Sequence, residues 1–402
     1  MAVDSRMNKP GQQTALEGFE TAAGHGHDRT LSAVAAAFDP ARLTQARRLA
    51  DLTKTALARQ LDVSGVAVGQ WEAGTHPPRP DHVGRLAELL KVPPAFLAAG
   101  RPYARLEGAA VHFRSLRKTP AQQRAKAVAF AEQVWELVYA LEKRVHLPPV
   151  DVPGFTAGEV CPGVVGTDPA QAARALRQAW GLGQGPVPRM VRLLEAHGVI
   201  VTLVPFAGAA TGTVDAFSTS QLPRPIVVLT PDRADDVYRH RFTAAHEVGH
   251  LLLHGECVPG DIMQEKEADS FAAEFLTPGE VIQPELPPRM DLGALEQLGR
   301  KWGVSVDSLV YRCREVGTVS EPAYRRAYQR LNQLRKLGLF APEPVDSYPG
   351  EVPVMISRAF QMAESCGLTM AALARELTWP LPRLRLLLGD AEGDTRPQLR
   401  LI

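Results

Sequence analysis

Residues 241–254 read RFTAAHEVGHLLLH, and this stretch decides how the centre of the chain folds. It contains His246-Glu247-Val248-Gly249-His250, an HExxH pattern in which two histidines stand four positions apart. Side chains at i and i+4 lie on the same face of an α-helix, one turn apart. Both imidazoles can therefore reach one ion if the segment is helical, and the apolar residues beside them predict that this side is buried.

Glu247 stands between the two histidines and is predicted to act on water rather than to bind the metal. Zinc lowers the pKa of a water molecule, and a neighbouring carboxylate can take up the proton and pass it to the leaving amine. The pattern therefore predicts a Zn²⁺ site of the gluzincin-like metalloendopeptidase type, held by His246 and His250, with Glu247 as the catalytic base. The alternative is that the two histidines pair for packing alone.

A third protein ligand is predicted on the next helix, in the stretch EKEADSFAAEFLTP, which opens at Glu265. A zinc ion held by two histidines needs a third ligand and an open position. Glu265 is predicted to supply that ligand. Asp269 shares its face and is predicted to accept the other ring N–H of a ligand histidine. Glu267 faces elsewhere and is the weaker ligand candidate. His254 lies about 12 Å along the axis from His246 and is interpreted as a packed, hydrogen-bonded core residue.

The surrounding sequence predicts an α+β domain. Apolar runs at 199–205 and 225–230 predict buried strands, and residues 215–220 are a plausible strand between them. The predicted helices cover residues 121–144, 170–182, 188–198, 238–254, 264–276, 292–302, 305–316 and 354–388. The first of these has an apolar stripe, which predicts an amphipathic helix.

Residues 53–74, TKTALARQLDVSGVAVGQWEAG, have the pattern of a helix-turn-helix. Ala58 stands where two closely packed helices require a small side chain. Ser64 follows the turn and is predicted to cap the second helix. Val68 and Trp71 are predicted to face inward.

The polar face of that second helix is predicted to enter the DNA major groove. The predicted DNA-binding residues are Lys54, Ser64, Val66 and Gln70, of which Lys54 suits a phosphate or a base edge. Two glycines in the second helix leave few side chains for reading bases. The alternative is a small helical bundle without a role in DNA binding.

The formal net charge of +1 is unevenly distributed. Residues 40–100 carry +3 and residues 101–146 carry +5, so the remainder of the chain carries −7. The basic N-terminal third suggests a polyanion partner, and double-stranded DNA fits the helix-turn-helix. A solvated charged face is the alternative. A homodimer is expected, because one such module reads too few base pairs.

Two family resemblances follow from these motifs. RFTAAHEVGHLLLH and EKEADSFAAEFLTP resemble the ImmA/IrrE family of zinc metallopeptidases, and the likeness runs from about residue 155 to 320. The resemblance implies zinc binding by His246, His250 and Glu265, with Glu247 as general base. Residues 53–74 resemble the Xre family of phage-repressor-like regulators.

The fold class that follows is multidomain and mainly α, with a zincin-like α+β centre. Residues 1–38 are predicted to be a disordered tail, and residues 39–100 an Xre-type helix-turn-helix domain. Residues 101–150 are predicted to be a basic helical connector, and residues 151–340 the ImmA/IrrE-like domain. Residues 341–402 are predicted to be a Pro-rich linker and a C-terminal helical adaptor.

The C-terminal stretch TMAALARELTWPLPRLRLLLG, at 369–389, repeats the LAxxL rhythm of the helix-turn-helix. Pro380 and Pro382 stand where a recognition helix would start. We interpret the stretch as a helical adaptor or a degenerate helix-turn-helix, and we favour contact with protein over contact with DNA.

A cytoplasmic location is expected, with no role for a membrane. The N-terminus lacks the apolar core of a secretory signal, and no stretch has the roughly 18 apolar residues of a membrane span. The four widely spaced cysteines are expected to be reduced, buried thiols.

Two hypotheses for function remain. In the first, the chain is a DNA-binding regulator that cleaves a protein substrate, such as a repressor, in a stress response, as the resemblance implies. In the second, it is a non-proteolytic Xre-type transcription factor whose zinc domain is a sensor or a structural module.

Overall fold

The structure is a computed structural model. It describes residues 29–102, 106, 112–113, 120–156, 159–161, 164–203, 216–229, 236–255 and 261–389. The chain forms two compact units, one of residues 1–103 with 368–402, the other of residues 104–367. This division is coarser than the five predicted segments, whose boundaries stay predictions.

The described part of the chain is mainly helical, which confirms the predicted fold class. Its helices are α1 (29–36), α2 (Pro40–Leu49), α3 (Lys54–Leu61), α4 (Gly65–Ala73), α5 (Pro80–Leu90), α6 (Ala121–Glu142), α7 (Pro169–Ala179), α8 (Met190–Ala196), α9 (Val237–Leu253), α10 (Ile262–Leu276), α11 (Gly279–Ile282), α12 (Leu292–Trp302), α13 (Val306–Glu315), α14 (Glu321–Lys336), α15 (Met355–Ser365), α16 (Met370–Leu377) and α17 (Leu381–Leu388). Its strands are β1 (His112–Phe113), β2 (Phe155–Thr156), β3 (Glu159–Val160), β4 (Ile200–Leu203), β5 (Ala216–Thr219) and β6 (Ile226–Leu229).

The predicted N-terminal tail overlaps a helix. Helix α1 covers residues 29–36, and its Leu31 and Val34 are buried. Two apolar residues three positions apart lie on one face of a helix, so their burial stabilises the helix. No signal in the sequence indicated it, because a repeat of only two residues is too short to show a periodicity. The prediction of a tail was therefore wrong for residues 29–36. The rest of the predicted disorder, at residues 1–28, lies outside the described residues.

Helices α3 and α4 form the predicted helix-turn-helix. Helix α3 ends on Asp62, whose left-handed backbone (φ 56°) turns the chain. The hydroxyl of Ser64 accepts a backbone N–H three residues on and caps α4, as predicted. Val68 and Trp71 are buried against α3, where Ala58 leaves room for the close approach.

The central sheet has four strands in the order β1-β5-β6-β4. Strand β4 runs parallel to β6, and β5 runs antiparallel to both β6 and β1. The three longer strands lie at the predicted places. Strand β1 and the two-residue hairpin of β2 and β3 were not predicted, because two residues are too few to show a periodicity.

Helix α9 packs on β5 and β6, and α10 packs on α9. The two helices cross at Gly249. A Cβ atom at that position would lie 3.1 Å from the Cα of Ala268 and 3.1 Å from a ring carbon of Phe271. The weak helix former in the middle of α9 therefore has a packing reason, since only a residue without a side chain lets α10 approach this closely.

Helix α6 differs from its predicted character. The apolar stripe predicted an amphipathic helix with a polar side in solvent. In the structure almost every residue from Ala127 to Leu141 is buried, including Glu132 and Glu136. One carboxylate oxygen of Glu132 accepts the backbone N–H of Leu106 at 3.1 Å. The helix is therefore a core helix of the unit formed by residues 104–367.

The Pro-rich stretch before α15 holds a buried carboxylate. The two side-chain oxygens of Glu351 accept the backbone N–H groups of Met190, at 2.9 Å, and Val191, at 3.1 Å. Glu351 also forms a buried ion pair with Arg241 in the first turns of α9. The predicted linker is thus a packed segment that holds the starts of α8 and α9 together.

The cysteines are more exposed than expected. Cys313 is buried, but Cys161 and Cys366 are exposed free thiols, and Cys257 lies outside the described residues. Among the helices of the described ranges, none is both long and apolar enough to span a membrane.

The buried ion pair of Arg241 and Glu351 should be essential for stability. We expect Glu351→Ala to destabilise the protein by about 3–5 kcal/mol, because it leaves the Arg241 charge buried without a counter-charge. In a unit of this size the melting temperature should fall by roughly 10 °C. Thermal unfolding by calorimetry tests this. Asp346→Ala, an exposed carboxylate in the same segment, is the matched control. Equal melting temperatures for the two variants would contradict the expectation.

Candidate metal centre and nucleic-acid interface

Three donor groups from two helices converge in the unit formed by residues 104–367. The Nε2 atoms of His246 and His250, on α9, lie 3.0 Å apart. The carboxylate of Glu265, on α10, lies 3.6 Å from the Nε2 of His246 and 3.4 Å from the Nε2 of His250. Both histidines are buried, and Glu265 is one-third exposed. The three donor groups thus face one another in a site that is open to solvent on the side of Glu265.

The separations of these donors suit a tetrahedral zinc ion. With bonds of about 2.0–2.1 Å from zinc to nitrogen or oxygen, neighbouring ligand atoms lie about 3.3–3.4 Å apart. The three measured separations of 3.0, 3.4 and 3.6 Å bracket that value. Two imidazoles and one carboxylate are also a donor set that zinc prefers, and they leave a fourth position open. The residues present therefore fit the ion.

Asp269 fixes the tautomer of His246. The Nδ1 of His246 lies 2.8 Å from a carboxylate oxygen of Asp269. Because an ionised carboxylate only accepts hydrogen bonds, Nδ1 carries the proton and donates it to Asp269. The Nε2 of His246 then presents a bare lone pair to the site. The structure places Asp269 where the sequence analysis expected a partner for a ligand histidine.

His250 is oriented by a two-step chain that the sequence analysis missed. The Nδ1 of His250 lies 3.0 Å from the Nδ1 of His254, and the Nε2 of His254 lies 2.9 Å from the carboxylate of Glu267. Glu267 can only accept, so His254 donates from Nε2 and, while neutral, accepts at Nδ1. His250 must therefore donate from Nδ1, which leaves its own Nε2 bare. Glu267, the weaker ligand candidate, acts here through His254.

Burial favours the neutral forms of His250 and His254. Burial lowers the pKa of His250 to about 4, and it also lowers the pKa of His254. At neutral pH the imidazole of His250 is therefore uncharged, which is the protonation state that a metal ion requires of a histidine ligand.

Glu247 is completely buried, on α9 beside the donors, and is held by the central sheet. One of its carboxylate oxygens accepts a hydrogen bond of 2.6 Å from the hydroxyl of Ser218, on β5. Ser218 was not singled out from the sequence. Its strand was predicted, but nothing in the strand pattern indicates which residue faces a helix 29 positions further along the chain. The roles of the metal donors, Asp269 and Glu247 stay predictions.

The four predicted DNA-binding residues lie on α3, the turn and α4. Gln70 is exposed, and Val66 is 68% exposed. The hydroxyl of Ser64 is engaged in capping α4. The ammonium of Lys54 lies 3.3 Å from the carboxylate of Glu72, so its charge is partly neutralised by an ion pair within the domain. The structure thus leaves Val66 and Gln70 as the most available of the four, and their contacts with DNA stay predictions.

The buried residue Glu72 connects these helices. Its two carboxylate oxygens accept hydrogen bonds from the guanidinium of Arg47, at 2.5 and 3.0 Å. One of them also lies 3.3 Å from the ammonium of Lys54. Arg47 is on α2 and Glu72 on α4, so one carboxylate ties the first and last of three consecutive helices. The position of the exposed face of α4 is therefore set by a charged contact inside the domain.

Comparison with known families gives two matches. Residues 194–314 match the family model described as the IrrE N-terminal-like domain, and residues 41–99 match a helix-turn-helix domain. The chain combines an IrrE N-terminal-like domain with a helix-turn-helix domain. The IrrE N-terminal-like domain contains all three donors and Glu247, and the helix-turn-helix domain contains α3 and α4. No curated protein matches the chain. The pairing supports a regulator that carries a peptidase-family domain.

The zinc content of variants should distinguish Glu265, a predicted zinc ligand, from Glu267 and His254, which act by orienting His250. We expect about one zinc ion per chain in the wild type and none in Glu265→Ala. Glu267→Ala and His254→Phe should keep the ion at saturating zinc but bind it about 10–100-fold more weakly, because the orientation of His250 is lost. Elemental analysis and competition with a chelator measure both quantities.

Lys266→Ala is the control for these variants, since Lys266 is exposed on the same helix turn. It should behave as the wild type does. If Glu267→Ala loses zinc while Glu265→Ala keeps it, the assignment of the third ligand is wrong.

The metal-free protein should lose stability as the pH falls. The ordinary pKa of histidine, 6.5, falls to about 4 at His250 in the folded state. Below pH 6.5 the unfolded chain binds a proton that the folded protein refuses, so the free energy of unfolding decreases between about pH 6.5 and 4. At 1.36 kcal/mol per pKa unit the loss is at most about 3 kcal/mol. Urea unfolding of chelator-treated protein measures it. His250→Gln should show a shallower dependence, and parallel curves would refute the prediction.

Proposed function

We propose that the chain is a cytoplasmic, DNA-binding transcriptional regulator whose zinc metalloendopeptidase domain cleaves a second regulatory protein, such as a repressor, under stress. The observation that carries this proposal is that three candidate zinc donors and a candidate general base lie together. Three zinc donors lie within 4.8 Å of one another, and the carboxylate of Glu247 is held beside them. A structural zinc site needs four protein ligands and no base, whereas this site has three and a positioned carboxylate.

Each residue then has a role in peptide hydrolysis. His246, His250 and Glu265 would hold the zinc ion. When bound, zinc supplies a Lewis acid that polarises a carbonyl group and lowers the pKa of water. Glu247 would accept a proton from the attacking water and return it to the amine nitrogen as the peptide bond breaks. Ser218 donates to one carboxylate oxygen of Glu247 and would hold that carboxylate in place during the reaction.

The sheet beside Glu247 supports a peptide substrate. Strand β5, which carries Ser218, already pairs in antiparallel register with an extended segment of the chain, with His112 opposite Ser218. An extended substrate could add to the sheet in the same manner, through main-chain hydrogen bonds. In this proposal the substrate replaces the two-residue pairing of β1 and lies alongside the general base.

The helix-turn-helix would bring this activity to a DNA site. We propose that a homodimer binds double-stranded DNA through α4, with Gln70 and Val66 in the major groove and Ser64 and Lys54 at the backbone. The basic stretch of residues 40–146 would add phosphate contacts. Apart from the predicted tail, whose residues 29–36 form α1, the domain boundaries of the sequence analysis are part of this proposal.

The alternative function is a regulator that never cleaves. In that case zinc stabilises or senses, and Glu247 has no chemical role. The favouring observation is that both domains are on one chain, so DNA binding alone could regulate. The two proposals differ in what they require of Glu247 and agree in what they require of His246.

The pair of variants Glu247→Gln and His246→Ala tests the proposal. Glu247→Gln keeps the size of the side chain and the Ser218 hydrogen bond but removes the base, so zinc and DNA affinity should stay while cleavage falls by about 10²–10⁴-fold. His246→Ala should lose zinc and cleavage together. The measurements are cleavage of candidate repressors encoded beside the gene by zinc-loaded protein, and the cellular response to DNA damage.

Lys266→Ala is the control in both assays. A strain with Glu247→Gln that responds normally, while His246→Ala does not respond, would rule out proteolysis and favour the zinc-dependent sensor.

A further inference from the structure

The C-terminal segment repeats the sequence of the helix-turn-helix. Residues 53–61 read TKTALARQL and residues 369–377 read TMAALAREL, so six of nine positions are identical at a constant offset. With the same offset, Ser64 corresponds to Pro380 and Gln70 to Leu386. The proposed function of the chain does not involve this second copy.

The backbone repeats as well. Helices α3 and α16 are both eight residues long, and each is capped by a threonine hydroxyl that accepts an N–H, at 3.0 Å for Thr53 and 3.1 Å for Thr369. Each helix ends on a non-glycine residue with left-handed backbone, Asp62 at φ 56° and Thr378 at φ 53°. Residues other than glycine rarely adopt this conformation, so its recurrence at the same position indicates the same turn.

The buried positions of the two copies correspond. Each inward-facing residue of the first helix-turn-helix has a buried counterpart in the second. The pairs are Leu57 and Leu373, Ala58 and Ala374, Leu61 and Leu377, Val68 and Leu384, and Trp71 and Leu387. The small residue that lets the two helices cross is alanine in both copies. Helices α16 and α17 therefore pack as α3 and α4 do.

The prolines do not prevent a recognition helix. Helix α17 starts at Leu381, with Pro380 as its cap residue and Pro382 in its first turn. The first N–H groups of a helix have no intrahelical partner, so proline costs little there. The second copy thus has a complete helix at the position where the first has its predicted DNA-reading helix.

The exposed face of the second copy is basic. Arg385 is exposed on α17 at the position of Gly69, and Arg375 is exposed on α16 at the position of Arg59. Leu386, at the position of Gln70, is 39% exposed. Arginine recognises guanine and phosphate, and an exposed leucine can contact the methyl group of thymine.

The second copy is tied to the first. Within the unit formed by residues 1–103 and 368–402, the guanidinium of Arg101 donates to the carbonyl of Phe96 at 2.7 Å and to the carbonyl of Leu377. It also lies 4.7 Å from the ring centre of Phe96. One side chain thus joins the end of the first helix-turn-helix domain to the end of α16, and the spacing of the two copies is constrained.

We propose that α16 and α17 form a second DNA-binding helix-turn-helix, in which Arg385 reads a base and Arg375 contacts phosphate. One chain then recognises two neighbouring sub-sites, one through α4 and one through α17. Each half-site of the proposed homodimer is accordingly an asymmetric pair of two different sequence blocks. This goes beyond the proposed function, which uses the first copy alone.

In vitro selection from random 40-base-pair duplexes, with full-length zinc-loaded protein, tests this. The selected duplexes should contain two blocks at constant spacing. Gln70→Ala should lose the preference at one block. Arg385→Ala should lose the preference at the other and bind the selected duplex about 5–100-fold more weakly. Arg375→Ala should weaken binding to all duplexes and reduce the salt slope by about one.

Two further variants sharpen the comparison. Arg385→Lys keeps the charge but not the two parallel hydrogen bonds, so it should retain affinity for random duplexes and lose the base preference. Arg326→Ala, which removes an exposed arginine of the other compact unit, should bind as the wild type does. Circular dichroism melting verifies that each variant is folded.

The outcomes separate the two DNA-binding proposals. If Arg385→Ala and Arg375→Ala match Arg326→Ala in affinity and salt slope while Gln70→Ala loses its block, the first copy binds DNA and the second does not, which overturns this inference. A consensus whose half-sites each contain a single block would overturn it too. If the wild type selects no sequence at all, both proposals fail.

Discussion

The close crossing of α9 and α10 at Gly249 is the constraint on which the metal centre depends. The two histidines and the carboxylate come from different helices, and only a short distance between the helix axes lets the three donors meet. Ala268 lies 3.1 Å from the place where a Cβ of residue 249 would stand. Glycine in a helix interior costs about 1 kcal/mol relative to alanine, and the packing of Phe271 in the space offsets it.

The crossing alone would not prepare the donors, because each imidazole can turn about its own bond and can carry its proton on either nitrogen. Two carboxylates outside the donor set remove that freedom. Asp269 acts on His246 directly, and Glu267 acts on His250 through His254. Both carboxylates stand on α10, the helix that also supplies Glu265. One helix therefore provides a donor and the two groups that orient the donors on its neighbour.

The sequence predicted contacts between residues that are close along the chain and missed contacts between residues that are far apart along it. Periodic signals predicted α9, α10 and the three longer strands, and the spacing within each motif brought out the donors and Asp269. Ser218 and Glu351 were missed, because their partners lie 29 and 110 residues away and no local pattern records such contacts. The burial of α6 was missed for a related reason. Its apolar stripe is real, but charged residues on its other side find partners inside the protein.

Contacts at its start, at its middle and just after its end restrain helix α9, and these contacts make the candidate site rigid. Arg241 fixes its first turns to the segment around Glu351, Gly249 sets its middle against α10, and His254, the residue directly after α9, hydrogen-bonds to Glu267. A helix restrained along its whole length cannot rotate to adapt to a ligand. The carboxylate of Glu247 is consequently set against Ser218 by the same contacts that orient the histidines. For the proposed peptidase, such preorganisation would favour tight zinc binding and a fast reaction, since little order would remain to be created in either step.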